Sequence, residues 1–168
     1  MAKKGGTRQA SRRGKRPAKP TSPSFPFPKP YAIDMTASAE AVYKDLHQQS
    51  INAEGKGDPT NQHCSTFRMV DEAIRKLIPA NPTDKKYALH GPLSDFFRIK
   101  KGRLRIVWAV STAHRGILIV FISDTPRKDG DAQDPYVVLN RLAKAGYLKN
   151  VITDWQRAFT VPPGSLVN

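Results

Sequence analysis

Arg98, Lys100, Lys101, Arg103 and Arg105 place five cations within eight residues. Side chains of an extended chain repeat every two residues. Arg98 and Lys100 therefore share one face of one strand, and Arg103 and Arg105 share one face of the next. A tight turn at Lys101-Gly102 sets the two rows side by side. Like charges facing each other across strands are destabilising by about a few tenths of a kcal/mol or more. Something must offset that repulsion. Solvent does so if this is the outer face of a sheet, and a phosphate does so if it is the rim of a site. Composition alone leaves both readings open. Val107 and Ala109 continue the Arg103/Arg105 face, so the arginines begin wet and run into core. That suits a pocket rim better than a flat exposed face.

Other chemistry finds little support. The sequence has no Walker loop, no GxGxxG, no HExxH and no CxxC pair. His63 and Cys64 are adjacent and cannot point at one metal from a helix, so Cys64 reads as a small packed residue. His114 sits in a hairpin loop, and no Ser/His/Asp set is visible. No metal and no cofactor is expected.

The elements that position the cations can be read from periodicity. Order is expected to begin near Asp34. Residues 37–49 read as a helix with Val42 and Leu46 on one face, followed by a Gly/Asn/Asp/Pro loop over 51–60. A second helix spans about 61–78, with Phe67, Val70, Ile74, Leu77 and Ile78 as its apolar stripe. Thr60 or Asn61 can cap it and Pro79 can close it. Three strands come next, at 94–101, 103–111 and 116–123. In the second, Leu104, Ile106, Trp108 and Val110 take one face. The third, Ile117–Ile122, is apolar on both faces and should be central. A polar loop, 124–134, leaves the sheet. Asp134-Pro135 opens a third helix that Gly146 stops, and a last short helix is expected at 151–159. This is an α+β domain: a small antiparallel sheet packed by two N-terminal helices and one or two C-terminal helices.

Charge divides the 168-residue chain. Residues 1–30 hold nine Lys or Arg and no Asp or Glu, so they supply +9 of the net +14. They are also Gly/Ser/Pro-rich with almost nothing apolar to bury, and are expected to be a disordered basic tail, stiffened over 20–30 by prolines. The globular domain is expected over 31–160, with a C-terminal tail over 161–168. A basic excess of this size points to nucleic acid or another polyanion. No amphipathic apolar segment accompanies the tail, and no apolar run approaches a membrane span, so no membrane partner is expected. The single cysteine, Cys64, and the lack of an apolar segment after the basic N-terminus are read as a cytoplasmic setting.

The stretch Arg98-Ile-Lys-Lys-Gly-Arg-Leu-Arg-Ile-Val-Trp-Ala-Val110, continued by Ile117–Ile122, resembles the RelE toxin superfamily. Those toxins carry a basic strand, a Gly-x-x-Arg-hydrophobic strand and a subsequent apolar strand. Asp124-Thr-Pro-Arg127, Asp134-Pro-Tyr-Val-Val-Leu139 and Lys144-Ala-Gly146 narrow the resemblance to its YhaV-type members. His90-Gly91 and Leu93 are similar to that group's approach to the first strand. The resemblance covers roughly residues 60–157. It departs in the loop after Asp124, which is shorter here.

The resemblance implies metal-independent cleavage of RNA, with the 2′-hydroxyl attacking the adjacent phosphate. Charge builds on the phosphoryl oxygens, so fixed cations aimed there lower the barrier, and arginine's planar fork fits two such oxygens. Residue by residue, Arg105 matches the strand arginine on the scissile phosphate, and Arg98 and Lys100 match the basic strand pair. Arg127 matches the loop arginine after the third strand, and Tyr136 the tyrosine at the mouth of the site. His90 is a candidate acid or base. Lys101, Arg103 and Lys128 would add RNA contacts, with Lys101 facing away from the other two strand cations, and Asp124 could orient Arg127. The implied partners are RNA, messenger RNA in particular, free or on a ribosome, and a cognate antitoxin of the swapped-hairpin, AbrB-like kind. Two alternatives compete. One is a non-catalytic RNA- or ribosome-binding module on the same fold, which the tail favours. The other is a DNA-binding accessory protein, which lacks a helix-turn-helix pattern.

Overall fold

The computed structural model describes residues 31–124, 132 and 134–159. The tails expected over 1–30 and 161–168, together with Arg127 and Lys128, lie outside the described residues. The architecture is α+β, with a four-stranded sheet in the order β1-β4-β3-β2.

The chain enters the sheet through β1 (Ala32–Met35), which sequence periodicity did not reveal. Four residues are too few for a persuasive alternation. Moreover, its partner β4 (Gly116–Ser123) lies some eighty positions on and pairs with it in parallel, Ala32 opposite Gly116 and Met35 opposite Ile119. Ile33 and Met35 turn inward against the core.

Thr36 then caps α1 (Ala37–Gly55), its hydroxyl accepting from the Ala39 amide at 3.3 Å. The helix runs six residues beyond the expected end. Ser50 and Ala53 are buried and extend the stripe begun by Ala39 and Leu46. Cys64, fully buried, sets its Sγ 3.5 Å from the Ser50 carbonyl. Packing against the next helix thus overrides the loop-like composition of 51–55.

That helix, α2 (Gln62–Glu72), is capped by Asn61, which accepts from the His63 amide at 2.9 Å. It continues through a π-helical turn, Ala73–Leu77, into a last turn, α3 (Ile78–Ala80), before Asn81. A π-turn inserts an extra residue and rotates the helix beyond it. Ile78 is therefore fully buried while Leu77, expected on the apolar stripe, is 42% exposed.

Strands β2 (Phe97–Lys101) and β3 (Leu104–Ser111) form the hairpin. Gly102 sits in its turn at φ +58°, a conformation only glycine adopts without strain. β4 is central, between β1 and β3, as its two apolar faces require. A bulge shifts its register between Val107 and Trp108: Val107 opposes Phe121, but Trp108 opposes Ile119. The skipped residue explains why Ile119 and Ile122, three apart, share a face.

Two helices close the fold. Asp134 caps α4 (Pro135–Lys144), accepting from the Tyr136 amide at 2.8 Å, with Pro135 at its first position. Gly146, at φ +75°, turns the chain directly into α5 (Tyr147–Ala158), which starts four residues earlier than expected.

The sheet is covered on both sides. Against α1 and α2 lie Leu104, Ile106, Trp108, Ile117, Ile119 and Ile122. Against α4 and α5 lie Val107, Ala109, Leu118 and Val120, with Leu139 and Leu148 above them. The alternation of β3 thus assigns its side chains to the two layers as expected. The Trp108 indole is satisfied by the Pro82 carbonyl at 2.9 Å. Among the described residues no helix is long and apolar enough to cross a membrane.

Candidate active site

At the hairpin end of the sheet, pairing places Lys100 opposite Arg105 and Arg98 opposite Val107. Val107 belongs to the layer under α4, so the alternation of β2 and β3 puts Arg98, Lys100 and Arg105 on the α4 side. Lys101 pairs with Leu104 and faces the α2 side, as expected. Arg103 falls in the turn rather than in β3, and lines a cavity on the α2 side with Lys101 and Leu104. The row of two arginines expected along β3 is therefore reduced to Arg105.

Arg105 is 5% exposed. Its Nη1 donates to the Gly102 carbonyl at 3.1 Å and also to the Arg103 carbonyl. Its Nε has no hydrogen-bond partner among the described residues, and no acidic side chain among them pairs with it. Ser123, also buried, is its pairing partner on β4. Withdrawing a cation from water without a counter-ion costs on the order of several kcal/mol. The turn carbonyls offset part of this.

Arg98 is half-buried. It donates to the Tyr136 hydroxyl, and its guanidinium lies 5.1 Å from the centre of the Tyr136 ring. Tyr136 is held by the first turn of α4, which Asp134 caps. The structure thus brings Arg98 and Tyr136 together from opposite sides of a 38-residue separation. Lys100 is exposed beside them. His90 is exposed at the start of a short helical turn, Gly91–Leu93, that packs against α4. No hydrogen bond among the described residues joins His90 to Arg105 or Tyr136. Asp124, exposed at the end of β4, lines the α2-side cavity with Lys101 and Arg103. Its expected partner Arg127 lies outside the described residues.

Sequence reasoning missed the backbone of Gly102 and Arg103 as the anchor of Arg105. Only the glycine in the turn signals it. It also passed over the polar face of α2, where Gln62, Ser65 and Thr66 line the same cavity. On periodicity alone that face is indistinguishable from a solvated one. Among the described residues, no group of three His, Cys, Asp or Glu side chains could hold a metal ion.

Residues 33–158 match the model of the YhaV family, described as toxins with endonuclease activity, of a toxin–antitoxin system. The chain belongs to the YhaV toxin family. The match begins at Ile33, so it takes in β1 and α1, which the resemblance over 60–157 did not reach. As a YhaV-family protein the chain is the toxin of a toxin–antitoxin pair, an endonuclease whose partner is an antitoxin. No curated protein matches it. Among solved structures it is similar to the RelBE2 toxin–antitoxin complex of Mycobacterium tuberculosis, with 18% identity over 56% of this chain and 90% of that one, and a TM-score of 0.40. It is also similar to the isolated E. coli RelE toxin, with 14% identity over 59% and 88% and a TM-score of 0.44. For the intact E. coli RelBE complex the figures are 14%, 58% and 99%, with a TM-score of 0.42.

Proposed function

We propose that this YhaV-family toxin cleaves RNA without a metal ion, and that Arg105 holds the scissile phosphate. The observation that carries this reading is Arg105 itself, buried, anchored by the turn carbonyls and paired with no carboxylate among the described residues. In the reaction the 2′-hydroxyl loses its proton, its oxygen forms a bond to phosphorus, and the bond from phosphorus to the 5′-oxygen breaks. The departing 5′-oxygen takes a proton, leaving a 2′,3′-cyclic phosphate and a 5′-hydroxyl. Negative charge peaks on the phosphoryl oxygens, where Arg105 acts, with Arg98 and Lys100 on the same side of the sheet. The Tyr136 hydroxyl, turned toward Arg98, is a candidate for the proton on the leaving oxygen, and His90 is the second candidate for acid–base work. Arg127 and Lys128 are assigned to phosphate contacts by the resemblance alone.

Residues 1–30, with their +9, are assigned to sequence-independent phosphate contacts, on messenger RNA or on a ribosome. The antitoxin is proposed to be a swapped-hairpin DNA-binding protein that covers the basic site, and the toxin to act in the cytoplasm. Incubation of the purified protein with an RNA oligonucleotide in EDTA tests the reading. Cleavage yielding a cyclic phosphate end is expected. Absence of cleavage, with and without ribosomes, would shift the reading to a non-catalytic RNA-binding module. In cells, expression alone should slow growth and co-expression of the antitoxin should restore it.

A further inference from the structure

We infer that the cavity between α2 and the β2–β3 turn is a base subsite. It takes an unpaired nucleobase beside the phosphate on Arg105, with Gln62 and Thr66 setting which base is preferred. This rests on the RNA-cleavage reading proposed above. The cavity encloses about 380 Å³. Its lining is mostly polar, with half-buried Met69 and buried Leu104 as the apolar surface on which a base could rest.

Contiguity with Arg105 singles this cavity out. The carbonyls that accept from the Arg105 guanidinium belong to Gly102 and Arg103. Those same two residues line the cavity from the other side. The turn that anchors the buried cation is therefore also part of the cavity wall.

The rim chemistry also suits a base edge. The Gln62 amide and the Thr66 hydroxyl can each donate and accept, Asp124 when ionised only accepts, and Lys101 and Arg103 only donate. Base edges present donors and acceptors together, and RNA-binding proteins read splayed single-stranded bases through those edges. Lys101 and Arg103, on the side of the hairpin away from Arg105, then have a role that phosphate binding at Arg105 alone would not give them.

The test is single-turnover cleavage of an RNA pool carrying all four bases at the positions flanking each phosphate. The parent is compared with Gln62→Ala, Thr66→Val and Arg105→Ala, each checked for folding by its melting temperature. One well-made base contact supplies about 1–3 kcal/mol of discrimination, or roughly 5- to 150-fold. In Gln62→Ala and Thr66→Val, the ratio of cleavage at the best and worst flanking base should therefore collapse by at least about fivefold. A ratio unchanged from the parent in both variants, whether overall cleavage stays or falls, overturns the base subsite. It leaves the phosphate reading intact provided that Arg105→Ala still abolishes cleavage. If Arg105→Ala cleaves like the parent, the phosphate site falls first and the subsite with it.

Discussion

Two arginines on opposite sides of the molecule are held in contrasting ways. Arg75, on the outer face of α2's continuation, is exposed and paired with a carboxylate. Its Nε donates to Asp71 at 2.5 Å, and the Tyr43 hydroxyl donates to the same carboxylate oxygen at 2.6 Å. The hydrogen bond from Arg75 to Asp71 raises the guanidinium's proton affinity. Burial pushes the Asp71 carboxyl up, but hydrogen bonds from Tyr43 and Arg75 outweigh it and hold the carboxyl below its usual range. Arg105 is the reverse, buried and without a carboxylate among the described residues. A cation that serves stability is placed where water already solvates it and given a partner. The first arrangement contributes little and costs little. The second costs stability, which, under the function proposed above, a bound phosphate would return.

The largest effect should come from removing that second cation. Arg105→Ala is expected to lower single-turnover cleavage by about 100- to 1000-fold, the usual consequence of losing one preorganised donor. Its melting temperature should hold or rise, because an unpaired buried charge and its repulsion with Lys100 disappear. Arg105→Lys should recover only part of the rate, since an ammonium cannot form the bidentate fork. Cleavage by Arg105→Ala within about threefold of the parent, a difference of roughly 0.65 kcal/mol, would remove Arg105 from the site.

Next in size is a change that touches stability alone, at the far end of the sheet. A Cβ on Gly116 would lie 2.7 Å from the Trp155 ring, which is itself tied to Asp34 through a 2.8 Å hydrogen bond. Gly116→Ala should destabilise the fold by about 1–3 kcal/mol, the cost of overpacking, while cleavage by the folded fraction stays at the parental rate. Adding Trp155→Leu should recover part of the loss, because the two positions share one contact. Full additivity in denaturant titrations would show that the ring is not what the new methyl meets.

A third expectation concerns the basic segment. Deleting residues 1–30 should flatten the dependence of RNA affinity on salt. The log–log slope should fall by about 0.7 for each phosphate that the segment neutralises on a single strand. An identical slope for the truncated protein would mean that the segment touches no phosphate.

The smallest effect belongs to Arg75 and its partner. Asp71 has a folded-state pKa below its unfolded one. Its contribution is therefore present above the unfolded value, near pH 4, and is lost as pH falls through the folded value. Arg75 is largely exposed, so the pair should contribute little. Asp71→Asn should lower stability slightly at neutral pH, and the gap from the parent should close as pH falls through the folded-state value. A gap that does not narrow in acid would show that Asp71 acts through shape rather than charge.

Most of the fold was legible because its signals are local. The stripe from Phe67 to Ile78, the alternation of β3, the Asp134-Pro135 cap and Gly146 each act within a few residues. The errors arose where distant contacts decide. β1 exists because β4 accepts it in parallel, and α1 runs to Gly55 because Cys64 packs under Ser50. Leu77 left the core because a π-turn rotated the helix beneath it. At the site, the cluster of cations was visible as spacing, and so was the division of Lys100 from Lys101. The separation of Arg103 from Arg105 was not, since alternation fails where a strand becomes a turn.

The sequence by itself determined the class of the domain, the phase of its central strands and the gathering of cations at one hairpin. These come from periodicity and local sterics, which act between near neighbours whatever the rest of the chain does. Only the tertiary structure decided which cation is buried. Burial and desolvation depend on what α4 and the turn place over a side chain. Those neighbours come from positions as far apart as Arg98 and Tyr136, so spacing along the chain carries no record of them.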